Sequence, residues 1–121
     1  SSIDVLPTVA AAAGAALPND RIYDGVNLLP YLQASGNDVP HEQLFWRGSL
    51  PSSQFYAVRE KRLKLLSGQD GKVALYDLLS DPFETEDISG SKPEEVERLQ
   101  NAYLLWNSEM KVPPAFPPKN N

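Results

Sequence analysis

Gln54-Phe55-Tyr56-Ala57-Val58-Arg59 and Arg62-Leu63-Lys64-Leu65-Leu66, separated by Glu60-Lys61, lie at the centre of the stretch that decides the fold. Gln43 to Arg47 stands before them and Lys72 to Leu78 after them. All four runs are short, aromatic-rich or alternating, and are punctuated by Gly, Pro and Ser, the pattern of strands joined by turns. Four strands in succession predict an antiparallel meander. Arg62 and Lys64 alternate with Leu63 and Leu65, so one face of that sheet is expected wet and the other covered. The cover is the last helix, where Val96, Leu99, Tyr103, Trp106 and Met110 recur at spacings of three, four, three and four and form one stripe. Ser91 and Glu94 read as a capping box at its start. Working outward, Val5, Leu6, Val9, Ala10 and Ala13 predict an amphipathic helix capped by Ser2 and ended by Gly14. Asn27 is expected to cap a shorter helical segment, Leu28 to Gln33. Ser35, Gly36, Asn37, Asp38 and Pro40 mark an internal boundary, and Pro113, Pro114, Pro117 and Pro118 give an extended tail.

Composition narrows the function. The 121 residues carry a formal charge of −5, with an isoelectric point near 4.7, which disfavours nucleic acid and anionic membranes as partners. The apolar run Thr8 to Leu17 is far short of the ~20 residues a membrane span needs. There is no cysteine, hence no disulfide scaffold, thiol nucleophile or cysteine metal knuckle. His41 is the sole histidine and reads as a solvated loop residue, which leaves no His-rich metal site. The start lacks methionine and runs straight into helical pattern, as in a chain cut from a longer one. No G-x-S-x-G elbow, phosphate-cradling loop or GxGxxG occurs. Asp81, Glu84, Glu86 and Asp87 are acidic enough to suggest calcium, but their spacing fits no EF-hand and a solvated turn is the simpler reading. Trp46 and Arg47 are adjacent on a strand and therefore face opposite ways. They read as one core aromatic and one surface cation, or as a sugar-stacking ring and an anion-binding fork.

The order of segments resembles the late part of the sulfatase family, of the arylsulfatase type. The residues that carry the resemblance are Ser1 to Thr8 with the alanine-rich helix, Asp24-Gly25-Val26-Asn27-Leu28-Leu29-Pro30-Tyr31-Leu32, Leu44-Phe45-Trp46-Arg47, Tyr56-Ala57-Val58-Arg59, Leu63-Lys64-Leu65-Leu66, Leu75-Tyr76-Asp77-Leu78, and Asp81-Pro82 with Glu84, Asp87 and Ile88. It implies an α+β fold: a four-stranded antiparallel sheet packed by a long C-terminal helix, preceded by two helical segments from the end of an α/β catalytic domain. Residues 1–36 then correspond to the closing helices of that domain, 41–111 to the C-terminal subdomain and 112–121 to the tail. Where the family often has glycine, Glu60-Lys61 stands, so one of the two is expected at positive φ.

The resemblance also implies a reaction centre upstream, in which a Cys or Ser of a Cys-x-Pro-x-Arg segment becomes formylglycine and calcium helps neutralise the sulfate. No such segment occurs, so no catalytic or metal residue is assigned and no cofactor is expected in this chain; calcium and formylglycine are implied for the parent family alone. The expected role is that of an inactive C-terminal part of a sulfuric ester hydrolase, partnered by the N-terminal catalytic domain and bordering the substrate cleft. Family analogy places such proteins in exported, periplasmic or lysosomal locations. The alternative is a free-standing module that binds acidic or sulfated carbohydrate through Trp46 and Arg47. A small enzyme built on a carboxylate pair is a weaker third reading. Helix 1–14, without its usual partner, is expected to expose an apolar patch, so that the chain self-associates or residues 1–36 are poorly ordered or repacked.

Overall fold

The computed structural model describes residues 1–33, 39–50 and 53–110. It divides into two units, Ser1–Glu42 and Gln43–Asn121. The proline-rich tail 112–121 lies outside the described residues, as do residues 34–38 of the Ala34–Pro40 boundary.

In the first unit a 3-10 turn, Ser2–Asp4, leads into helix α1, Val5–Ala12. Ser2, expected as the cap, therefore sits inside the turn. Gly14 ends the helical stretch at φ +66°, a left-handed conformation that glycine adopts without steric cost. Helix α2, Leu29–Gln33, is a single short piece, and the Asn27 side chain accepts from the Leu29 N–H at 3.0 Å, as the sequence leads one to expect.

The segment between α1 and α2 is held by two side chains one helical turn apart. Asp4 Oδ1 accepts from the Val26 N–H at 2.9 Å, and Thr8 Oγ1 accepts from the Leu28 N–H at 3.0 Å. Gly25 lies directly on the Ile3 carbonyl, where a Cβ would overlap that group, so the close approach requires glycine. The Asp4, Thr8 and Asp24-Gly25-Val26 positions thus form one staple.

The second unit is an α+β sandwich of one sheet and one helix. Strands β1 (Gln43–Leu50), β2 (Ser53–Glu60), β3 (Leu63–Ser67) and β4 (Val73–Asp77) pair in sequence order, all antiparallel. β3 begins one residue later than the pattern suggests. Lys61 takes φ +51° in the β2–β3 turn, and Arg62 belongs to that turn, accepting from the Leu78 N–H at 2.8 Å. The positive φ expected at Glu60-Lys61 therefore falls on Lys61.

Helix α3, Pro93–Glu109, covers one face. The registers Phe45↔Val58, Val58↔Leu65 and Leu65↔Leu75 place these four side chains in one row across the sheet. Val58, Leu65, Leu75 and Leu99 are fully buried there, joined by Tyr103. The aromatic rings of helix and sheet stack: Tyr56 on Tyr103 with centroids 3.7 Å apart, and Phe45 on Trp106 at 5.2 Å. Val96, Leu99, Tyr103 and Trp106 of the stripe read from the sequence are thus the packed face of α3, while Met110 falls at the C-cap beyond it.

The capping box is not formed. Pro93 occupies the first helical turn and Lys92 the cap position, while the Ser91 hydroxyl donates to the Ile88 carbonyl at 3.0 Å. Proline lacks an N–H and carries a preset φ, so it starts the helix one step later than a serine cap would. Among the described residues, no helix is long and apolar enough to cross a membrane.

Candidate functional site

The strand parity settles how Trp46 and Arg47 point. Gln43, Phe45 and Arg47 lie on the α3 side with Tyr56 and Val58; Leu44, Trp46 and Gly48 lie on the other, with Phe55, Ala57 and Arg59. Arg47 Nη1 donates to Asn107 Oδ1 of α3 at 2.7 Å, whereas Trp46 is 44% exposed on the open face. The reading of Trp46 as core and Arg47 as surface is therefore inverted. Phe45 and Trp46 are neighbours of similar apolarity, and Phe45 takes the covered side because its ring meets Trp106. The two residues leave β1 on opposite faces, as their adjacency requires, yet both border one groove of about 760 Å³ at the Gly48 end of the sheet.

Other groups share the open face with Trp46. The register pairs Trp46 with Ala57, Ala57 with Leu66, and Arg59 with Lys64. They border a groove of about 430 Å³ together with Leu78 and Glu84. Lys64 Nζ meets Glu84 Oε1 at 2.5 Å, with Glu84 held at φ +57°. Arg59 is exposed and, among the described residues, meets no carboxylate; its Nε donates a long 3.5 Å bond to the Lys61 carbonyl. On the other side of Trp46 a more apolar groove of about 760 Å³ runs past Gly48, Phe55, Leu66 and Gly68. The Phe55 ring lies flat across Gly48, in space that any Cβ at position 48 would fill. Arg59 and Lys64 were not singled out from the sequence. The signal was present in the alternation, but using it needs the hairpin register, which no single strand supplies.

The acidic turn is occupied by its own backbone. Asp81 Oδ2 accepts from the Thr85 and Glu86 N–H groups at 2.7 and 2.9 Å, and Asp87 Oδ1 from Leu75 and Ser89 at 3.0 and 2.9 Å. Hydrogen bonding from these amides lowers both carboxyl pKa values. Among the described residues, no three His, Asp or Glu side chains converge as a metal site would require.

His41 departs from the surface reading. It is 11% exposed, and its Nε2 lies 2.7 Å from Oδ1 of the fully buried Asp4. The Ser1 nitrogen donates to Oδ2 of the same carboxylate at 2.7 Å. Burial acts to raise the Asp4 pKa, but the bonds from Ser1, Val26 and His41 outweigh it and hold the carboxyl down at about 2.

No protein-family model matches the chain. Human arylsulfatase A is 32% identical over 133 aligned residues, covering 87% of this chain and 26% of that protein. Human steryl-sulfatase is 51% identical over 45 residues, covering 37% of this chain and 8% of that protein. The solved structure of Ps i-CgsB superposes with a TM-score of 0.80 at 24% identity, covering 93% of this chain and 25% of its own. The same protein is also solved in complex with k-i-k-neocarrahexaose. A meander roofed by one long helix is the α+β fold shared with these structures. The chain belongs to the sulfatase family, of the arylsulfatase type, its partial match being consistent with the C-terminal portion. It spans about a quarter or less of the length of these relatives. The residues present do not fit the formylglycine and calcium that the family implies: the sequence has no cysteine and no Ser-x-Pro-x-Arg segment, and the described carboxylates do not converge.

Proposed function

We propose that this chain is the C-terminal part of a sulfatase-family hydrolase, structural in role and catalytically inactive alone. Residues 1–36 are its closing catalytic-domain helices and 41–111 its C-terminal subdomain. The observation that carries the reading is α1. It is stapled to the Asp24-Gly25-Val26 segment on one side, yet leaves Val5, Leu6 and Val9 more than half exposed. A helix this apolar is stable when a second layer covers it, and the N-terminal α/β domain of a longer polypeptide is the proposed cover. Formylglycine and calcium belong, in this reading, to that domain.

The test is hydrolysis of 4-nitrocatechol sulfate by the chain alone and after co-expression with the preceding α/β portion of its polypeptide. The expected result is no turnover alone, turnover in the combined protein, and loss of that complementation in Val9→Glu. Turnover by the isolated chain would overturn the proposal. A second reading, a binding module for acidic or sulfated carbohydrate, is favoured by one observation: the exposed indole of Trp46 on the sheet face opposite α3.

A further inference from the structure

We propose that the apolar groove at the Gly48 end of the sheet is the seat of the chain's own proline-rich segment, Pro113-Pro114-Ala115-Phe116-Pro117-Pro118, held there as a polyproline II strand. Helix α3 delivers the chain to that groove. Its Tyr103 and Trp106 stack on Tyr56 and Phe45, and its Asn107 accepts from Arg47, so the helix runs out over β1 towards the Gly48 end. Arg47 belongs to both places, bonding Asn107 and bordering the groove. At the C-cap Met110 has φ −79° and ψ 134°, which is already polyproline II geometry. Residues 111–121 follow. At polyproline II rise the steps from Met110 to Pro113 cover about 9 Å, enough to round the edge strand β1. Residues 113–118 then span about 19 Å, which crosses β1, β2 and β3 at their spacing of about 4.8 Å.

The lining suits that occupant. Trp46 and Phe55 leave 44% and 38% of their surface exposed, and Ala57 and Leu66 form a low floor beside them. Aromatic-lined grooves take proline-rich strands because pyrrolidine faces pack on rings, and because a segment extended before it binds loses little entropy on binding. Pro113, Pro114, Pro117 and Pro118 also lack an N–H, so laying them on apolar side chains strands few donors. Phe116 adds one ring between the two proline pairs. The short tether of Lys111 and Val112 gives an effective concentration in the mM range, which favours this segment over the same segment of a second copy in dilute solution.

The chain has no cysteine, so Ala115→Cys accepts a single nitroxide label. Paramagnetic broadening is then read by NMR on the full chain, with the Trp46 indole N–H assigned through Trp46→Phe. The label is expected to at least halve the signals of the Trp46 indole, Gly48 and Leu66, and to leave Asp77, at the far end of β4, unchanged. Adding Phe116→Asp, or Pro114→Gly with Pro117→Gly, to the labelled chain is expected to cut the broadening at Gly48 at least threefold. These positions follow α3 in the sequence, so the sheet folds in each variant. Absence of broadening at Gly48, or equal broadening at Gly48 and Asp77, would overturn the proposal. Broadening undiminished by the tail substitutions would overturn it too, since contact would then not depend on the proline-rich chemistry. In a mixture of isotope-enriched chain without nitroxide and unenriched chain with it, no broadening is expected; broadening there as strong as within one molecule would place a second copy's segment in the groove and overturn the intrachain seat.

Discussion

Gly25 shows how much a single position can decide. Its backbone rests on the Ile3 carbonyl, so Gly25→Ala forces Asp24-Gly25-Val26 away from the 3-10 turn and breaks the bond from Val26 to Asp4. A loss of about 3 kcal/mol is expected, from overpacking combined with the loss of one hydrogen bond to a buried carboxylate. Urea unfolding and the exchange rate of the Val26 amide measure it. Asp4 itself carries a pH dependence. Its pKa is lowered from 3.8 to about 2, so its stabilisation is fully present above pH 3.8 and fades as the pH falls towards 2. An Asp4 carboxyl carbon that titrates near 3.8 in the folded protein would contradict this. His41→Ala removes one donor to the buried carboxylate and is expected to cost about 1 kcal/mol. The His41 contact could not be read from the sequence, because a partner 37 positions away leaves no local periodicity.

At the level of elements, α3 separates buried from exposed leucines within two turns. Leu99 is fully buried against β2, β3 and β4, while Leu104 and Leu105 lie on the outer side. Leu99→Ala is expected to cost about 3 kcal/mol, and Leu104→Ala or Leu105→Ala under about 0.5 kcal/mol, as measured by urea denaturation. The stripe and the strands were legible because each is written in short-range spacing, while the positive φ at Lys61 followed from the glycine that the resembled family often has there. Two features were not. The start of α3 was misplaced because Ser91 and Glu94 match a capping box while Pro93 sets the actual first turn. The orientation of β1 was ambiguous because Phe45 and Trp46 are both aromatic, and only the stack of Phe45 on Trp106 breaks the tie. The candidate site inherits that ambiguity: Trp46 was visible in the sequence and Lys64 was placed on the wet face, but that Arg59 and Lys64 adjoin Trp46 follows only from the strand register.

For the whole molecule, the exposed Ile3, Val5, Leu6 and Val9 define how the chain behaves in solution. Sedimentation velocity is expected to show concentration-dependent self-association, shifted to monomer by Val9→Glu, which lies on the exposed side of α1 and touches no part of the staple. A wild-type chain monomeric at high concentration would remove α1 as an association surface. Placement in the sulfatase family accounts for the ordered motifs, since Asp4, Thr8 and Gly25 are the parts of one staple and Lys64 and Glu84 the parts of one ion pair.

The rim of β4 has an effect on aggregation. The Leu75 carbonyl accepts from the Ile88 N–H at 2.9 Å and the Leu75 N–H donates to Asp87 at 3.0 Å, so the outward-facing amide and carbonyl at the middle of that strand are already matched. A foreign strand cannot add there without peeling the 87–88 segment away. Templated fibril growth is therefore barred on the β4 side.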